Sequence, residues 1–326
     1  MQAAWYEAIG SAEEVLHVGE IDNPSPMEGE VLVEIKASGV NPSDVKTRAG
    51  ARGELQFPRI IPHSDGGGMI VEVGKGVSED RIGERVWIWN GAFGRAYGTC
   101  AGLMALPSSQ AVAMSEDVSF ETAACLGIPA STAYYGVFSD GSVENQTILI
   151  TGGAGAVGYL GIQLAKWSGA KVISTVSGND KATVAKAAGA DLVVNYKTDD
   201  VIEAVNDFTK GQGVDRILEV EFGGNLSVSE HVIKNNGVIA AYGSVAEANP
   251  ALPFYNLMFK GVKLNTYLIY IVPENDRVNI NKGITSALSD NALTPIIAES
   301  FNLSEIINAH QSLEEGSVIG NVVINI

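Results

Sequence analysis

The stretch Thr147 to Lys166, TILITGGAGAVGYLGIQLAK, constrains the fold more than any other part of the chain. Ile148, Leu149 and Ile150 form an unbroken aliphatic run, the pattern of a parallel strand covered on both faces. Gly153, Gly155 and Gly158 follow as G-x-G-x-x-G. In that spacing the first glycine permits a tight turn, the second lets a pyrophosphate approach the backbone, and the third lets a helix pack closely on the strand. Ala156 and Val157 open the helix, whose free N–H groups and positive dipole end face the phosphates. A second apolar strand, Lys171 to Thr175, closes the βαβ unit that such a fingerprint requires as its context.

The same alternation continues downstream. KATVAKAAGA reads as a helix, DLVVNY as a strand, Val201 to Thr209 as a helix and GVDRILEV as a strand. HVIKNNGVIAAYGS reads as a helix end, a glycine turn and a fifth strand. Strand and helix in alternation imply an α/β fold with a doubly wound parallel Rossmann sheet. Upstream, VLVEIKASGV, IIPHSDGGGMIVEVGKGV and IGERVWIW are short strands separated by glycine turns, which suggests a small β-barrel-like domain. Phe120 to Phe138 has helical spacing interrupted by Gly127 and Pro129. The expected organisation is a β domain over residues 1–120, completed by about 267–326, and a cofactor domain over 121–266. A ligand cleft is expected between them.

Composition narrows the partners. The formal net charge of −17 repels a phosphate backbone, so nucleic acid is not an expected partner. A dinucleotide is also an anion, so its site must supply its own positive charge. Two cysteines, Cys100 and Cys125, form no disulfide framework and suit a reducing cytosol. The opening MQAAWYEAIGSAEE lacks a charged-then-apolar signal pattern, and no apolar run approaches the ~20 residues of a membrane span. A cytoplasmic protein with a small-molecule substrate is expected.

ASGVNPSD, PHSDGGGMIVEVG, IGERV, AACLGIPASTAY, ITGGAGAVG, GADLVVNY and AHQSLEEGSVIGNVVI occur in this order across nearly the whole chain. Together with Ser177 and Lys181 they resemble the medium-chain dehydrogenase/reductase superfamily, in its zinc-free quinone oxidoreductase (zeta-crystallin-like) branch. The resemblance implies a GroES-like β domain joined to a Rossmann domain, and a homodimer formed through edge strands of the cofactor domains, for which FKGVKLNTYLIYI supplies apolar strand material. Where zinc alcohol dehydrogenases carry a cysteine ligand, this chain has Asn41. Their Gly-His-Glu becomes His63-Ser64-Asp65, and the structural-zinc cysteine cluster is absent. Catalytic zinc needs three N, S or O side chains and an open position, which two isolated cysteines and the scattered His17, His63, His231 and His310 do not compose. No metal is expected.

NAD enzymes place an acidic residue about 20 positions after the glycines to hold the ribose diol. Nineteen residues beyond Gly158 stands Ser177, with Lys181 close behind and Asp180 between them. A hydroxyl and a cation suit a ribose 2′-phosphate, and the resemblance adds Tyr196 near the same group, so NADPH is preferred to NADH. By resemblance, Asn41 and Thr132 would lie near the nicotinamide, Gly243 and Ser244 would border the cofactor crevice, and Asn321 stands where the family usually has a lysine or arginine. The stretch EVEFGGN departs from the family's D-x-V-G-G, with Glu219 in place of the aspartate.

Without a metal Lewis acid, quinones and α,β-unsaturated carbonyls are better hydride acceptors than simple ketones, because conjugation spreads the charge that hydride addition creates. Donors near the acceptor oxygen are then required, and the candidates are Asn41, Tyr97, His63 and Arg52, with Arg48 beside the last. Trp87 and Trp89 share a strand face and are expected to pack. The expected function is an NADPH-dependent, zinc-free reductase of quinones or activated carbonyl and alkene substrates. The alternatives are a 2-alkenal or enoyl-thioester reductase and a non-catalytic NADPH-binding protein.

Overall fold

In Glu30–Val40 the side chains of Val31, Val33 and Ile35 are buried at every second position, as strand alternation demands. They face Ile70, Val86, Ile88, Met104 and Leu106, which fill the interior of a small β domain. The computed structural model describes residues 1–326. They form two units, Met1–Ile128 with Pro295–Ile326, and Pro129–Thr294.

The first unit begins with β1 (Gln2–Trp5), α1 (Ala12–Val15), β2 (His17–Glu20), β3 (Glu30–Val40), α2 (Pro42–Arg48), β4 (Asp65–Val73), β5 (Arg85–Ile88), β6 (Leu103–Pro107), β7 (Ala111–Ala113) and α3 (Phe120–Ala123). The second unit contains α4 (Ser131–Phe138), β8 (Thr147–Ile150), α5 (Ala156–Trp167), β9 (Lys171–Val176), α6 (Asn179–Ala187), β10 (Leu192–Asn195), α7 (Val201–Thr209), β11 (Val214–Glu219), α8 (Phe222–Val232), β12 (Ile233–Ala241), α9 (Phe254–Phe259), β13 (Lys263–Thr266) and α10 (Glu274–Ser289). The chain then returns to the first unit with β14 (Ile297–Asn302), α11 (Ile306–Glu314) and β15 (Asn321–Asn325).

In the first unit the strand order is β14-β15-β3-β4-β5-β7, with β6 paired to β3. The last strand therefore runs antiparallel to β3, placing Val40 opposite Val322. In the second unit the order is β10-β9-β8-β11-β12-β13, every pairing parallel. Numbered within that sheet the order is 3-2-1-4-5-6, and the direction of winding reverses between β8 and β11, where ligands bind in such folds. Ile148, Leu149 and Ile150 are buried at the centre of the sheet.

The division expected at residues 120 and 267 falls at 128 and 294. The reason is packing around α4. Arg277 of α10 donates to Ser131 Oγ at 3.1 Å and to the Ile269 carbonyl at 2.6 Å, so α10 joins the Rossmann unit. The glycine turn expected at Gly237 takes the form of an irregularity within a continuous strand. β12 bulges there: its register with β11 jumps from Val214↔Ile233 to Arg216↔Val238, and Asn236 takes the left-handed conformation (φ 61°) that asparagine tolerates.

Candidate functional site

The turn after β8 uses four glycines, one more than the spacing argument required. Gly152 takes φ 69°, a left-handed conformation. Gly153 donates to the Thr175 carbonyl at 3.1 Å, and a Cβ there would lie 1.9 Å from Ser174 Oγ. A Cβ on Gly158 would lie 2.3 Å from the Gly152 carbonyl oxygen. Gly155 differs from both. It caps α5 with ordinary extended dihedrals (φ −78°, ψ 162°), and a Cβ would meet nothing closer than Gly152 O at 3.4 Å. Gly153 and Gly158 are thus required by the protein's own packing, whereas at Gly155 the protein leaves open the space that a side chain would fill. The first i→i−4 bond of α5 is from Tyr159 to Gly155, so the N–H groups of Ala156, Val157 and Gly158 precede the intrahelical ladder. An open face beside free N–H groups at a helix N-terminus, on the winding-reversal edge of the sheet, fits a pyrophosphate.

Ser177 follows β9, Lys181 lies in the first turn of α6, and Tyr196 follows β10. β9 and β10 pair with Asn195 opposite Val176, and the Tyr196 N–H donates to the Val176 carbonyl at 3.1 Å. The three candidates therefore meet at the C-terminal end of one strand pair. Tyr196 is 54% exposed and Ser177 and Lys181 are half-buried, with Asp180 exposed beside them.

The other border of the crevice is built by Glu219, fully buried at the end of β11. Its Oε1 accepts from Thr151 Oγ1 at 2.8 Å, the Glu221 N–H at 2.7 Å and Asn225 Nδ2 at 2.9 Å. Burial pushes its carboxyl up, opposed by those donors. The residue in the place of the family's aspartate thus ties the start of the glycine turn to the next loop. In that loop, Ser244 Oγ accepts from the Gly223 N–H at 2.9 Å, and Glu221 accepts from the Val245 and Ala246 N–H groups. Gly243 accepts from Phe222 N–H at 2.8 Å, and a Cβ on it would meet Val220 O at 2.4 Å. Thr132 is anchored to the same end of the sheet: its carbonyl accepts from Tyr267 Oη at 2.8 Å, and Tyr267 N–H donates to Ala241. Glu219→Ala would strand the three Oε1 donors and Ser229 Oγ, which reaches Oε2 at 3.4 Å, and is expected to lower unfolding free energy by about 3 kcal/mol. Glu219→Gln keeps the accepting oxygen and should cost under about 1 kcal/mol. Denaturant unfolding checks both.

In the first unit, Asn41 is the N-cap of α2 and is buried. Its Nδ2 donates to Asp65 Oδ2 at 2.8 Å, and its N–H to Asp44 Oδ2 at 2.8 Å. One hydrogen of the Asn41 amide is thereby used and the plane of the amide fixed. Burial pushes Asp44 up to about 7, against the Asn41 N–H and the Arg52 charge. Tyr97 is 41% exposed and bridges to Ile61.

Three sequence expectations change here. His63 is fully buried, with Nδ1 against Ser38 Oγ at 2.9 Å and Nε2 against His310 Nε2 at 3.0 Å, so neither ring nitrogen is left for an acceptor oxygen. Arg48 is not an open donor for an acceptor oxygen. It closes α2, is fully buried, and pairs with Glu314 and the Gly10 carbonyl. Asn321 lies in the first unit and gives its side-chain amide to the Ile296 carbonyl at 2.9 Å. Trp87 is fully buried, and Trp89 donates to the Ser109 carbonyl at 3.3 Å. Gly152 and Glu219 were within reach of the sequence, as an extra glycine and an acid at a strand end. The burial of Arg48 and the pairing of His63 were not, because their partners lie 266 and 247 residues away.

Two family models match the chain: the alcohol dehydrogenase GroES-like domain over residues 27–143 and the zinc-binding dehydrogenase over residues 156–277. Quinone oxidoreductase 1 of Escherichia coli is 27% identical over 323 residues, covering 95% of both chains. A mycobacterial protein solved in complex with NADPH is 27% identical and superposes with a TM-score of 0.86 over 100% of both chains. A 2-haloacrylate reductase is 26% identical, with a TM-score of 0.86 over 100% of this chain and 99% of that one. The zinc of the second description does not suit the donors present. No group of three or more His, Cys, Asp or Glu side chains is arranged to hold a metal, and both cysteines are buried with thiols pushed up by burial.

Proposed function

The chain belongs to the medium-chain dehydrogenase/reductase family, and we propose that it is an NADPH-dependent reductase that delivers hydride to quinones or other activated carbonyl and alkene acceptors. The observation that supports this reading is that Ser177 and Tyr196 directly follow the paired strands β9 and β10, Lys181 opens α6 behind them, and β8, the other neighbour of β9, leads into the glycine turn at Gly155. Those three groups would hold the ribose 2′-phosphate, and the N–H groups of Ala156, Val157 and Gly158 the pyrophosphate. Thr132, Gly243 and Ser244 would border the remainder of the dinucleotide. NADPH supplies the hydride, and the protein orients the reacting groups. Asn41 would present its side-chain amide, oriented by Asp65, to the acceptor oxygen, where charge develops. Tyr97, exposed, and Arg52, on the segment after α2, are the further candidates for contact with the acceptor.

The likeness to a 2-haloacrylate reductase supports a second reading, reduction of an alkene conjugated to a carboxyl or carbonyl group, with Arg52 suited to an anionic substrate. A panel of quinones, 2-alkenals, enones, enoyl thioesters and 2-substituted acrylates, assayed with NADPH after EDTA treatment, separates the readings. Turnover confined to acrylates or thioesters would replace the quinone assignment, and loss of all activity in EDTA would refute direct, metal-free transfer.

A homodimer is part of the proposal. β13 is the open edge of the Rossmann sheet, and Tyr255, Phe259 and Ile271 near it are 67%, 79% and 67% exposed. Large apolar side chains beside an unpaired strand suit a two-fold partner of the same kind. Phe259→Glu is expected to shift gel filtration from dimer to monomer mass. A wild-type monomer would contradict the proposal. No helix is long and apolar enough to cross a membrane.

A further inference from the structure

His63 stands at a position of strain. Its φ of 77° is left-handed, a conformation that a side chain of this size rarely adopts. The residue is fully buried, and so is its neighbour His310 on α11. The ring planes are stacked at 26° with centroids 5.2 Å apart.

The hydrogens in this cluster can be placed by elimination. Thr99 Oγ1 lies 2.5 Å from the Asp65 backbone carbonyl, which can only accept, so the Thr99 hydroxyl is the donor there. Its lone pairs must then receive the Ser38 hydroxyl, 2.8 Å away. Ser38 has one hydrogen and has used it, so at 2.9 Å it accepts from His63 Nδ1–H. His63 Nε2 is then a lone pair and accepts from His310 Nε2–H at 3.0 Å. The last atom, His310 Nδ1, is a lone pair, and it is the buried atom without a partner. The opposite direction would leave a buried N–H donor orphaned there and two acceptors facing each other at Asp65, which is the costlier arrangement. His63 must be neutral for this chain to exist, because its Nε2 accepts. Burial lowers His63 far below its usual range, helped by His310, and takes His310 down to about 3, helped by the Arg48 charge. Arg48 is itself fixed by Glu314 at the end of α11.

We propose that His310, His63, Ser38 and Thr99 form a one-directional hydrogen-bond chain that fixes the Asp65 backbone, so that His63 is a positioning residue for the Asp65 carboxylate and, through it, for the Asn41 amide. The role of Asn41 toward the acceptor rests on the function proposed above; the direction of the chain does not. His63 moves no proton to the substrate. It holds the backbone from which Asp65 Oδ2 receives Asn41 Nδ2.

Imidazole ¹⁵N NMR of the intact protein tests the direction without any variant. The expected result is His63 as the Nδ1–H tautomer and His310 as the Nε2–H tautomer, both neutral at pH 7. An Nε2–H tautomer or an imidazolium at His63 would overturn the chain. Thr99→Val and Ser38→Ala test the positioning. Each is expected to move the Asn41 side-chain amide resonances and to lower kcat about ten- to hundredfold while leaving the NADPH dissociation constant within about twofold. Unmoved Asn41 resonances in a folded variant would overturn the positioning role. Moved resonances with unchanged kcat would leave the chain standing and refute the role given to Asn41.

Discussion

Gly155→Ala is expected to fold like the parent and to lose NADPH affinity about a hundredfold, or roughly 2.7 kcal/mol. Its Cβ would meet only Gly152 O at 3.4 Å, an ordinary contact, and its dihedrals suit any residue. Exchange of an N-cap glycine for alanine costs under about 1 kcal/mol of stability. The methyl group would occupy the face reserved for the pyrophosphate, so the damage falls on binding. Gly158→Ala separates the two effects. Its Cβ would sit 2.3 Å from Gly152 O and 2.8 Å from Gly152 C, both backbone atoms that cannot step aside. That variant is expected to lose about 1–3 kcal/mol of stability from overpacking as well as its cofactor. Thermal unfolding alongside fluorescence titration checks the pair. Unchanged NADPH affinity in Gly155→Ala would remove the reason for an open face there.

Lys181→Ala is expected to weaken NADPH binding about ten- to hundredfold, the worth of a charge-assisted contact to phosphate, while NADH binding stays the same. A cation in the first turn of α6 has no role toward an unphosphorylated ribose, so the two cofactors should respond differently. Asp180 is exposed in the same turn. Asp180→Asn should therefore raise NADPH affinity by removing a like charge. Parallel titrations of both variants with both cofactors give the readout. Equal losses for NADPH and NADH in Lys181→Ala would show that Lys181 does not read the 2′-phosphate.

The parts of the molecule legible in the sequence are those whose signal is local. The run Ile148–Ile150, the glycine turn and α5 follow from strand burial and backbone access within 20 residues. The strands at 171, 192 and 214 follow from apolar runs between turns. Where a second, distant segment decides, the sequence misleads. Arg48 looks like a donor candidate beside Arg52 until Glu314 and the Gly10 carbonyl are brought to it. His63 looks like a donor for a substrate until His310 and Ser38 take both ring nitrogens. Gly237 looks like a turn, and the chain does bulge there: parallel pairing of β12 on both sides resumes only at Val238, with Asn236 in the left-handed region. α10 looks like part of the returning segment, yet Arg277 commits it to α4. At the site itself the positions were legible from local pattern, with Ser177 and Tyr196 following paired strands, whereas the bond of Asn321 to the Ile296 carbonyl depends on a neighbour 25 residues away.

The central claim is that this chain is built to take hydride from the phosphorylated cofactor. Its most direct test is a pair of binding titrations of the pure, EDTA-treated protein, one with NADPH and one with NADH, under identical salt. The account predicts that NADPH binds at least about tenfold more tightly, since a 2′-phosphate contact is worth at least ~1.4 kcal/mol. Equal or tighter binding of NADH, or no binding of either, would contradict it.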